Sequence, residues 1–193
     1  MSRLLRAAMI VLMLASCGSR NNVPPRNMDD ACAIIRERPQ YFRAMQQAER
    51  KWGVPVHVQM ATIYQESRFV GNARTPYRFA LGIIPLGRQS SAYGYSQALD
   101  GTWDDYRSET RRRSAKRNRI SDATDFMGWY MDNTERKLGV SKADATNQYL
   151  AYHEGHNGFA RGSHKDKSWL LSVADKVGTR SDMYRQQLQA CRR

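Results

Sequence analysis

Apolar residues recur every three or four positions through most of this chain, a period that predicts helix after helix with no convincing alternating strand. Residues 28–38 read as a first helix stopped by Pro39, and residues 41–52 as a second that ends at Gly53. Pro55 opens a third, whose Val56, Met60 and Ile63 share an inward face. Residues 97–110 read as a fourth. Ser121 is placed as the cap of a helix reaching Leu138, with Phe126, Trp129, Tyr130 and Thr134 on its inner face. Ser141, with Asp144 three residues on, is placed as the cap of the next, which carries Tyr149, Tyr152 and His156. Two short helices follow, over residues 168–177 and 182–190. Residues 70–95 contain Gly, Pro and Ser and read as one long loop, a length that marks function or mobility in a compact domain. Its apolar stretch Phe79 to Gly87 reads either as cover for a cleft or as a small extra lobe.

The amino-terminal end breaks this pattern. Arg3 and Arg6 form a basic start, and Ala7 to Leu14 form an apolar core too short to span a bilayer as a helix. Leu14-Ala15-Ser16-Cys17 matches the lipobox of bacterial lipoproteins, in which a small residue lets a peptidase reach the bond before a cysteine that takes a lipid. The expected plan is a lipoprotein signal peptide over 1–16, a polar, proline-bearing flexible tether over 17–27 from lipidated Cys17, and one folded domain over 28–193. Gly18 rather than Asp follows the cysteine. By resemblance to lipoprotein sorting in two-membrane bacteria, that favours an outer-membrane anchor facing the periplasm.

Composition sharpens this. The chain carries a formal charge of +13, which falls to +11 when the two leader arginines are removed. About 175 residues remain, enough for one domain with a real core. Excess positive charge suits an anionic polymer or surface, and export argues against nucleic acid. Cys32 and Cys191 sit near opposite ends of the mature chain, and in an exported protein they are expected to pair as a disulfide.

The most informative stretch is Ala61-Thr62-Ile63-Tyr64-Gln65-Glu66-Ser67-Arg68-Phe69. It sets one carboxylate near the end of an apolar helix. Apolar neighbours and the negative helix end both disfavour the charged form, so the acid can hold its proton near neutral pH. A neutral carboxylic acid is what cleavage of a glycosidic bond requires.

Three segments, in order, resemble the motifs of the soluble lytic transglycosylase family, whose catalytic domain has a goose-type lysozyme fold. Ala61-x-Ile63-x-x-Glu66-Ser67-x-Phe69 is similar to the family's catalytic Glu-Ser motif. Gly94-Tyr95-Ser96-Gln97 stands where the family usually has Gly-Leu-Met-Gln. Ala151-Tyr152-His153-Glu154-Gly155 stands where it usually has Ala-Tyr-Asn-Ala-Gly. The resemblance implies a mostly α, lysozyme-like domain with a long active-site loop. It also implies non-hydrolytic cleavage of the MurNAc–GlcNAc β-1,4 bond of peptidoglycan to 1,6-anhydro-MurNAc ends.

By that resemblance Glu66 is the catalyst, acid and then base, and Tyr152 places its hydroxyl on the Glu66 carboxylate. Gln97 is expected on substrate polar groups or the backbone around them, and Ser67 on local backbone or sugar; with Tyr95 and Glu154 they are the candidate substrate-binding residues. Tyr95 and Ser96 replace apolar residues, so a more polar subsite is expected there. Glu154 replaces an alanine: near Glu66 it raises that residue's pKa or serves as the base of a lysozyme-like hydrolase, and otherwise it points outward or pairs with a basic residue. A wall-binding lipoprotein without catalysis is the other alternative. Peptidoglycan strands are the expected partner, with the membrane engaged through the lipid, and a monomer is expected.

Other features weigh less. His153 and His156 are three apart, whereas the zinc protease motif sets its histidines four apart, so no metal and no cofactor is assigned. Residues 111–119 form a basic run that either grips acidic groups or is a solvated loop. Trp103 and Trp129 are read as sugar platforms or as core.

Overall fold

The computed structural model describes residues 22–81 and 83–191. The signal peptide and Cys17 assigned from sequence lie outside them. The order is α1 (Ala31–Glu37), α2 (Pro39–Trp52), α3 (Val56–Ser67), β1 (Tyr77–Ala80), β2 (Ile84–Arg88), α4 (Asp100–Glu109), α5 (Ile120–Leu138), α6 (Ala145–Ala160) and α7 (Ser168–Ala190). The chain is therefore mostly helical, as its apolar period predicts.

Helix α3 runs through the centre. Val58, Met60, Ala61 and Ile63 on it are completely buried, each larger side chain contributing about 1.5–3 kcal/mol. Its central position buries it on more than one stripe, polar Gln59 and Thr62 included, and Gln59 donates to the Met45 and Val54 carbonyls. Helix α2 packs on α5, and α7 packs on both α3 and α6. A second knot is polar: Asp125 accepts hydrogen bonds from the Tyr106 hydroxyl (2.7 Å), the Trp52 indole (3.0 Å) and Lys51 (2.9 Å), and pairs with Arg112 (2.8 Å). Around it Trp103, Tyr106, Phe126 and Trp129 pack ring to ring. Both tryptophans are thus core residues.

Several boundaries differ from the sequence reading. Pro39 both stops α1 and opens α2 at its first turn, where its missing N–H costs nothing. Asp144, not Ser141, caps α6, accepting from the Asn147 N–H at 3.0 Å. Arg119 rather than Ser121 precedes α5. The two short carboxy-terminal helices are one, α7, continuous through Gly178. That glycine serves packing instead: a Cβ there would stand 2.2 Å from the Thr146 hydroxyl of α6. Residues 70–95 are not a plain loop, since β1 and β2 form an antiparallel hairpin with a bulge between Arg78 and Phe79. No helix lies alongside either strand, so the stretch forms a small projecting lobe. Periodicity missed it because a two-stranded ribbon exposed on both faces has no buried face to alternate with.

Cys32 and Cys191 are joined as a disulfide, Cα to Cα 5.9 Å, tying α1 to the end of α7. Upstream of α1, the Arg26 N–H donates to Glu37 and Arg38 donates to the Val23 carbonyl, so this part of the segment read as tether touches the domain. Among the described residues, no helix is long and apolar enough to cross a membrane.

Candidate active site

Glu66 lies in the last turn of α3 and is partly buried. Burial pushes its carboxyl up to about 7, against the opposing pull of a hydrogen bond from the Tyr149 hydroxyl. Tyr149 is itself buried, and its own pKa is raised by burial and then by the Glu66 charge. Its hydroxyl also meets the Gln65 side chain. Sequence reading placed Tyr149 on the right helix but gave it no role. The signal was available: Tyr149 and Tyr152 are three apart on α6 and so share a face.

Tyr152 is close enough to Glu66 to feel its charge, but its hydroxyl donates to the Ser96 carbonyl at 2.5 Å. The expected Tyr152–Glu66 hydrogen bond is therefore corrected to Tyr149–Glu66. Tyr152 instead joins α6 to the Gly94–Gln97 turn.

That turn is built by close approach. Gly94 has φ +81°, and a Cβ on it would stand 2.2 Å from the Arg117 carbonyl, so only glycine fits. Tyr95 then points into the core, fully buried, its hydroxyl 3.0 Å from that of Tyr41. Ser96 is buried too, and its hydroxyl has no partner among the described residues. Tyr95 as a substrate contact and the more polar subsite are both corrected: these side chains face inward. Ser67 is buried and donates to the Tyr95 carbonyl at 2.8 Å, so it fastens the same turn to α3 rather than meeting a sugar. Gln97, at φ +48°, spends its amide donors on the carbonyls of Gly94 (2.8 Å) and Ala73 (3.0 Å).

The basic run supports this turn as well. Arg117 donates to the Ala98 carbonyl at 2.8 Å and pairs with Asp100 at 2.6 Å, and Arg112 pairs with buried Asp122 at 2.7 Å. These arginines are structural ties, not a free anion grip.

Glu154 is taken up by an ion pair. Lys167 pairs with it at 2.8 Å, Ser163 donates to it, and His153 lies 3.1 Å away. Those partners pull its carboxyl down to about 2. The pairing reading of Glu154 holds. Gly155, at φ +72°, breaks α6 after it and turns the following residues aside. His156 bonds Thr134 at 2.9 Å and stacks on Tyr130. Among the described residues no three His, Cys, Asp or Glu are grouped to hold a metal.

Residues around the site wall two separate cavities. One of about 210 Å³ is walled by Gln97, Leu99, Phe126, Tyr130 and Tyr152, and adjoins a larger one of about 600 Å³ past Gly155. The other, about 340 Å³, is walled by Tyr64, Gln65, Arg68, Lys176 and Arg180. Glu66 walls neither; its chain neighbour Gln65 faces one, and its spatial neighbour Tyr152 faces the other.

A partly buried acid bonded by a tyrosine, on a lysozyme-like helical frame, agrees with the comparison to known families. Residues 5–191 match the transglycosylase SLT domain, and the chain belongs to that family. The family is one of lytic transglycosylases, which act on peptidoglycan in the cell envelope. No curated protein matches the chain.

Proposed function

We propose that this protein is a peptidoglycan lytic transglycosylase in which Glu66 acts first as acid and then as base. The observation that carries the reading is the Glu66 carboxyl itself, held near neutral pH with its proton by burial and bonded by Tyr149. The neutral acid protonates the glycosidic oxygen between MurNAc and GlcNAc, and the C1–O bond breaks. The resulting carboxylate takes the proton of the MurNAc 6-hydroxyl, whose oxygen closes on C1. The proton returns to Glu66, no water is consumed, and the product ends in 1,6-anhydro-MurNAc.

Tyr149 stabilises the carboxylate between the two transfers, since its hydroxyl donates to the charged form. The amide oxygen of Gln97 is the part of that side chain left to meet a sugar. Glu154, committed to Lys167, is poorly placed to activate water, which favours anhydro products over hydrolysis. A lipid anchor at Cys17 in the outer membrane remains part of this reading.

The test is Glu66→Gln on purified sacculi. Loss of cleavage with retained sacculus binding supports the enzyme. A natural protein that binds sacculi and never cuts them establishes the wall-binding alternative.

A further inference from the structure

The projecting hairpin carries most of the large apolar side chains that the described surface exposes. Leu81 is 90% exposed and Ile83 78%, while Tyr77, Phe79 and Leu86 are at least half exposed. Five such residues within ten positions form a patch of the kind that soluble surfaces otherwise avoid. The patch is not an unfilled part of the core, because no helix packs against the strands. The tip also accepts strain: Leu81 holds φ +51° in the turn closed by the Ile83 N–H on the Ala80 carbonyl, a place where a leucine is disfavoured. An exposed apolar side chain held in an unfavourable conformation contributes little to stability, and its use lies elsewhere.

Charge around the hairpin is one-sided. Between Glu66 and Asp100 the chain has no acidic residue, yet the hairpin and its base carry Arg74, Arg78 and Arg88. Arg88 lies over the Tyr77 ring at 4.2 Å and Arg74 over the Tyr93 ring at 4.4 Å, so the cations collar the base of the lobe beside aromatic rings. Aliphatic tip, aromatic ring and arginine collar follow the order of hydrocarbon, interface and anionic headgroup across one leaflet. A sugar chain is a poorer match, because the tip offers branched aliphatic groups with no side-chain donor or acceptor.

We propose that the 77–88 hairpin is a membrane-docking element that inserts Leu81 and Ile83 into a bilayer rich in anionic lipid. The arginines hold the headgroups and the hairpin sets the orientation of the domain on the surface. Docking of this kind is independent of the reaction at Glu66.

The full chain bearing Cys17→Ser, Leu81→Cys and an environment-sensitive fluorophore at position 81 tests this with vesicles containing phosphatidylglycerol. A second labelled chain carries the probe at Asp175→Cys on α7. The expected result is quenching of the position-81 probe by brominated acyl chains and none at 175. Adding Ile83→Asp should weaken that quenching curve at least tenfold, and high salt or purely zwitterionic vesicles should weaken it as well. A position-81 probe that stays in water on vesicle-bound protein overturns the proposal. So does a probe that responds to peptidoglycan fragments or to a protein partner but not to lipid.

Discussion

The hydroxyl of Tyr149, one turn of α6 before Tyr152, is the group bonded to the carboxyl of Glu66. This divides the labour between two tyrosines of one helix face: Tyr149 serves the acid, and Tyr152 serves the turn at Ser96. Tyr149→Phe should lower kcat about 10–100-fold. Because the lost bond favours the carboxylate, Glu66 then keeps its proton to higher pH, and the alkaline limb of the rate profile should move up. Tyr152→Phe should leave that limb in place, raise KM, and cost about 1 kcal/mol of stability by freeing the Ser96 carbonyl.

In the native protein kcat/KM should fall as pH rises through about 7, where the Glu66 carboxyl loses the proton it must donate. A rate profile on soluble glycan fragments, flat from pH 5 to 9, would remove the general-acid assignment.

The same group weakens the fold. Its folded pKa is raised from 4.5 to about 7, so the stabilising effect of the bound proton is complete below the lower value and is lost as pH rises through the upper one. Glu66→Gln should therefore be more stable than the native chain by about 3 kcal/mol at pH 8.5, with the gap closing near pH 4. Urea unfolding at the two pH values reads the difference.

Glu154→Gln should still give anhydro products, with a rate within several-fold of the native protein, because Lys167 and Ser163 already occupy that carboxylate. Reducing ends from the native enzyme that disappear in this variant would reinstate Glu154 as a base for water.

Replacing both Cys32 and Cys191 by Ser should cost about 3–5 kcal/mol, because the bridge spans 159 residues of chain and restrains the unfolded state accordingly. Denaturation with and without reductant gives the native half of this comparison.

The helices and the acid were legible in the sequence because their signals are local. Val56, Met60 and Ile63 set a period, and Glu66 ends it. The inward facing of Tyr95 and Ser96 was not legible, because which way a turn residue faces depends on what packs behind it. Tyr95 faces inward since Tyr41 on α2 waits there, and nothing near position 95 in the chain says so. Glu154 met its partner Lys167 across a kink at Gly155 that a regular helical reading does not contain. The hairpin stayed hidden for the same kind of reason, since its apolar residues face outward and strand patterning presumes an inner side.

The central claim is that one carboxyl group performs both proton transfers without water. Mass analysis of the fragments released from purified sacculi tests it most directly. Native protein should yield 1,6-anhydro-MurNAc ends, lighter by one water than reducing ends, and Glu66→Gln should yield none. Reducing ends from the native protein, or anhydro ends from Glu66→Gln at the native rate, would contradict it.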